Sequence, residues 1–77
     1  MEIKKDNMKM AEKAYANLVE HGKVESAERL LCAMNGSGMI TLGLNDTDWD
    51  IQMALEDVGL KQGALHHNGA MATFVLS

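Results

Sequence analysis

The chain has 77 residues, a formal net charge of −4, 47% hydrophobic residues and 23% charged residues, a balance that fits a globular chain and excludes a disordered one. At this length a single hydrophobic core leaves about 3–5 kcal/mol of net stability, so the expectation is one domain over residues 1–77, with 1–5 frayed and a partner chain lending support. The lone cysteine, Cys32, excludes an intrachain disulfide framework and fits a reducing, cytoplasmic setting, while no apolar run approaches the roughly 20 residues of a membrane span.

From about Asp6, the apolar positions Met8, Ala11, Ala14, Tyr15, Leu18 and Val19 recur at three- and four-residue spacing and predict one face of a helix. Asp6 or Asn7 can cap it, and His21-Gly22 ends it. Val24, Ala27, Leu30, Leu31 and Met34 predict a second amphipathic helix, stopped by Asn35, Gly36, Ser37 and Gly38. So short a link makes the pair an antiparallel αα-hairpin, with Cys32 expected to be buried and inert. The stretch YANLVEHGKVESAERLLCAM resembles one unit of the pentatricopeptide or tetratricopeptide helical repeats, over about a quarter of the chain. Such repeats need about three copies to bury their faces, and no second copy is present. The resemblance therefore implies hairpin geometry and no RNA-reading or peptide-binding residues.

After the glycine-rich break, MITLGL (39–44) alternates Ile40, Leu42 and Leu44 against Met39, Thr41 and Gly43, the pattern of a strand with one face in the core. A third helix over 48–58 follows from Ile51, Ala54, Leu55 and Val58, with Gly59 as its stop. Its N-terminus reads as a capping box of Thr47 and Asp50, and Asp48 and Asp50 sit where the helix dipole favours negative charge. Asp46, Asp48 and Asp50 alternate like calcium ligands, but Ile51 and Asp57 stand where an EF-hand loop needs glycine and glutamate.

In the last segment Asn68-Gly69 separates two runs that can pair, predicting a hairpin of 62–67 with 70–75. One face then holds Leu65, Ala72, Phe74 and Leu76; the other holds Gln62, Ala64, His66, Met71, Thr73 and Val75. The predicted fold is α+β with the order ααβαββ: a helical hairpin and a third helix on one face of a three-stranded, mainly antiparallel sheet.

Function is read from surfaces, because no catalytic, cofactor-binding or metal motif is present. Adjacent His66 and His67 point to opposite faces of a strand, and no spacing resembles a zinc site. Residues 1–23 carry Lys4, Lys5, Lys9, Lys13 and Lys23 against Glu2, Asp6, Glu12 and Glu20, a balance of +1. The remainder carries Arg29 and Lys61 against Glu25, Glu28, Asp46, Asp48, Asp50, Glu56 and Asp57, a balance of −5. Phosphate backbones attract clustered cations, which opposes nucleic-acid binding except through Lys4, Lys5, Lys9 and Lys13. The expectation is a small acidic protein-binding module, a regulator, adaptor or inhibitor of the kind carried by phages and mobile elements. Trp49 and Met53, rimmed by Asp46, Asp48, Asp50 and Glu56, are the expected contact surface for a protein target. Residues 62–77 hold no Lys, Arg, Asp or Glu, an unguarded edge that predicts a homodimer through Ala64, His66, Met71, Thr73 and Val75. The competing expectations are a small oligomeric enzyme whose site lies between subunits, around His66, His67 and the acids of 46–57, and a nucleic-acid binder through Lys4, Lys5, Lys9 and Lys13.

Overall fold

The computed structural model describes residues 3–61 and 72–76. Within them the order is α1 (Ile3–Glu20), α2 (Val24–Asn35), β1 (Met39–Leu42), α3 (Asp46–Asp57) and β2 (Ala72–Val75). This is an α+β arrangement in which three helices accompany a two-stranded antiparallel sheet. None of the described helices is long and apolar enough to cross a membrane.

The helix ends follow from local backbone chemistry. Gly22 takes φ +78°, and the N–H groups of Gly22 and Lys23 return to the carbonyls of Val19 and Leu18 at 3.0 and 2.8 Å. This left-handed closure satisfies the last carbonyls of α1 and turns the chain directly into α2. Gly59, at φ +97°, closes α3 the same way: its N–H and that of Leu60 reach the carbonyls of Glu56 and Leu55, both at 3.0 Å. The turn delivers Leu60 into the core.

β1 pairs with β2 in the register Met39↔Val75, Ile40↔Phe74, Thr41↔Thr73 and Leu42↔Ala72. Side chains alternate across a strand, so Ile40, Leu42, Ala72 and Phe74 all point inward, where they join Ala11, Ala14, Leu18, Ala27, Leu30, Ile51 and Leu55 in one buried cluster. Beyond β2, the Leu76 N–H donates to the Gly38 carbonyl at 2.7 Å, and the Asn7 Nδ2 donates to the Val75 carbonyl at 3.1 Å. The last strand is thereby tied both to the start of β1 and to α1.

Several expectations change. α1 begins at Ile3, ahead of the expected start near Asp6, and α3 begins at Asp46 rather than 48. The sheet seen here has two strands; the expected strand over 62–67 and the Asn68-Gly69 turn lie outside the described residues. Leu44 is 78% exposed instead of facing the core, because the strand stops at Leu42 and the chain turns into α3. Val19 and Val24 are exposed too, since they flank the inter-helix turn beyond the last buried positions, Leu18 and Ser26. Cys32, expected in the core, is exposed: with Ala27 and Leu30 inward, a residue two positions past Leu30 comes out on the opposite side of the helix. Thr73 is buried, and its Oγ1 lies 3.3 Å from that of Thr41.

Phe74 is among the largest fully buried side chains and sits where the sheet meets the helices. Phe74→Ala should cost about 3–5 kcal/mol, a loss comparable with the whole stability of a domain this small. Urea denaturation followed by circular dichroism should then show no cooperative transition. A variant that keeps a wild-type midpoint would show that Phe74 does not hold the layers together.

Candidate functional site

The acidic stretch at the start of α3 divides into two parts with different jobs. The inward part is built on Asp48. Asn45, in extended backbone at φ −86° and ψ 166°, caps α3 by accepting the Asp48 N–H on its side chain at 2.8 Å. The cap is therefore Asn45 and not the expected Thr47, which lies inside the helix; the Thr47 carbonyl accepts from the buried Ser26 Oγ at 3.3 Å. With the cap two residues earlier than expected, Asp48 becomes the third helical residue, whose side chain turns back over the cap.

The Asp48 carboxylate is 5% exposed and collects donors from three directions. Arg29 on α2 approaches side-on, Nε to Oδ1 at 2.7 Å and Nη2 to Oδ2 at 3.3 Å. The Gly43 N–H reaches Oδ2 at 2.8 Å, and the Asn45 Nδ2 reaches it at 3.2 Å. Arg29 Nη2 also donates to the Thr41 carbonyl of β1 at 3.1 Å. A Cβ at Gly43 would sit 3.5 Å from Oδ2, an ordinary contact, so the position contributes its N–H and not a lack of bulk. Burial by itself raises the Asp48 pKa. The Arg29 hydrogen bonds, the Gly43 N–H, the Arg29 charge and Asn45 outweigh it, and the group ionises below its ordinary value of 3.8.

The outward part is apolar and acidic. Trp49 and Met53, one turn apart on α3, are 47% and 45% exposed. Leu44 and Trp49 hold the positions that flank a helix cap in a hydrophobic staple, yet both remain open to solvent. Asp46 and Glu56 are exposed and Asp50 is half-buried; Glu56 accepts from Gln52 Nε2 at 3.4 Å. Asp48 cannot belong to this rim, because its carboxylate is buried and engaged. Of the residues expected to mediate self-association, Val75 is exposed, Thr73 is buried, and Ala64, His66 and Met71 lie outside the described residues, as does His67.

Met53 also borders an open cleft of about 210 Å³ between the C-terminal end of α1 and the flank of α3. Leu18 and Ala54 line it on the apolar side, and His21, Lys23, Asp50 and Asp57 on the polar side. His21 Nδ1 lies 2.8 Å from the Asn17 carbonyl; a carbonyl only accepts, so Nδ1 carries the proton. Lys23 Nζ lies 3.5 Å from Asp50 Oδ2, with the lysine exposed and the aspartate half-buried, a pair worth at most about 1 kcal/mol. Among the described residues no group of His, Cys, Asp or Glu is arranged to hold a metal ion. Periodicity gave no sign of the cleft, because its walls come from helices thirty residues apart in the chain. A signal for the Asp48 tie was present: Arg29 is one of two cations after residue 23, among seven acids.

No protein-family model matches this sequence, and no characterised protein or solved structure shows significant similarity to it.

The lowered Asp48 pKa fixes the sign of a pH effect. The carboxylate contributes stability that is fully present above its unfolded value and is lost as pH falls through the lower folded value. Asp48→Asn should cost about 2–3 kcal/mol at pH 7, the loss expected when charged hydrogen bonds are removed. In urea unfolding at stepped pH, the gap between wild type and variant should stay constant from pH 7 to about 5 and close below about 4. A gap that persists at pH 2 would mean that the carboxylate charge is not what holds these elements.

Proposed function

We propose that this protein acts by protein–protein contact, presenting the Trp49–Met53 flank of α3 to a target. The observation that carries the reading is the exposure of the sole tryptophan, 47%, beside a methionine exposed to 45%. Tryptophan is highly buried on average, and partly exposed aromatic and methionine side chains within a polar rim are the usual anchors of interfaces. Neither side chain is needed to fill the core, which Ile51, Ala54 and Leu55 supply from the other side of the same helix. The acids Asp46, Asp50 and Glu56 form the rim. In this reading the protein serves as a regulator, adaptor or inhibitor in the cytoplasm.

Trp49→Ala should leave the circular dichroism spectrum and the urea midpoint near wild type. It should reduce capture of the target by the tagged protein by at least about tenfold, the scale of an aromatic anchor. Equal capture by wild type and variant would remove the Trp49 face from consideration.

Self-association is the second part of the proposal. Met39 and Val75 oppose each other across the sheet and are 49% and 42% exposed, an apolar pair on the face away from the helices. In this reading residues 62–67 extend the sheet as a third strand through the Asn68-Gly69 turn, and Ala64, His66 and Met71 continue this face, free of Lys, Arg, Asp and Glu, into a homodimer contact. Sedimentation equilibrium over roughly a hundredfold concentration range should show a concentration-dependent dimer. Val75→Lys should shift it to monomer without loss of helix signal. A wild-type chain that is monomeric throughout would end this part of the proposal and leave the Trp49 part standing.

A further inference from the structure

Building on the Trp49–Met53 reading, we infer that the neighbouring cleft takes the side chain of a lysine or arginine borne on a basic, amphipathic segment of the partner protein. The size of the cleft decides against a metabolite: about 210 Å³ falls below the roughly 300–1,000 Å³ of small-molecule sites. It suits one long side chain. Leu18, Ala54 and Met53 offer apolar surface for an aliphatic stem, and Asp50 and Asp57 in the same lining offer carboxylates for the charged head, the division that lysine and arginine require.

The charge of α3 points the same way. The helix carries five acids and no base, with no basic residue in its last turn. Asp57 therefore sits at the negative end of the helix dipole, where a carboxylate is disfavoured and a cation welcome. Lys23, at 3.5 Å from Asp50, already places an ammonium at one side of the cleft; the Asp57 side is where a second is accommodated. Trp49, Met53 and Asp57 follow one another at four-residue steps along a single stripe. Eight residues of helix span about 12 Å, so a helical partner segment would carry its apolar anchor and its cation about two turns apart.

The test uses two synthetic amphipathic helical peptides with identical leucines, one with lysine and one with glutamate at every polar position. Each is titrated into the whole protein and read by Trp49 emission and backbone amide shifts. The lysine peptide should bind, shift the amides of Met53, Ala54 and Asp57, and lose about fivefold or more in affinity with Asp57→Asn. Glu28→Gln, which removes the same charge from α2 away from the cleft, should change affinity less than about twofold. Lys23→Ala removes the competing ammonium and should tighten binding. Equal weakening by Asp57→Asn and Glu28→Gln would overturn the inference by showing a diffuse acidic attraction. Equal binding of the glutamate peptide, abolished by Trp49→Ala, would overturn the cationic occupant and keep the Trp49 face. Lysine-peptide binding indifferent to Trp49→Ala, with shifts away from α3, would sink both.

Discussion

The arrangement depends on one buried carboxylate. Each element that meets near Asp48 directs a donor at its carboxylate: the Gly43 N–H at the end of β1, the Arg29 guanidinium on α2, and the Asn45 amide at the head of α3. A single ionised group can accept from all of them, which no neutral side chain of similar size can do. The cost of burying the charge is offset because Arg29 remains partly exposed and keeps much of its hydration. Arg29 in turn reaches the Thr41 carbonyl, so the tie extends along β1. The relative positions of two helices and a strand thus follow from hydrogen bonds converging on two oxygen atoms.

This constraint also sets what α3 shows to solvent. Asp48 and Ile51 are held inward, the first by its donors and the second by the core. Rotation of the helix about its axis is then fixed, and Trp49 and Met53 are carried outward whatever their own preference. Their exposure is in this sense imposed by the anchoring of their neighbours. The same rotation brings Met53, Ala54 and Asp57 over the end of α1 and forms the cleft there.

The helices were legible because glycine and apolar spacing mark them strongly. Gly22 and Gly59 end α1 and α3 through left-handed turns that other residues rarely adopt, and the positions Ala27, Leu30, Ile51 and Leu55 are buried as their spacing requires. The inward set Ala72, Phe74 and Leu76 also follows from simple alternation. What the sequence concealed were choices settled by tertiary contact. Asn45 and Thr47 are both good caps; Asn45 prevails because that start puts Asp48 against Arg29. Leu44 continues the strand alternation on paper, but the Gly43 N–H is directed to Asp48 and the chain leaves the sheet before reaching it. Asp48 was legible as an acid and not as a buried one, since local spacing cannot show that an arginine nineteen residues earlier comes back to it.

The pairing of β1 with β2 has a consequence for how the chain is made. The helical hairpin and α3 are assembled from neighbours in sequence, but Met39 finds its strand partner at Val75, and the carbonyl of Val75 is then held by Asn7. Contacts of such separation form late, because loop closure must precede any gain from pairing. During synthesis the inner faces of Ile40 and Leu42 therefore wait uncovered by a neighbouring strand until residues 72–75 have left the ribosome. Completion of this sheet therefore waits for a strand that is made only after the helical hairpin and α3.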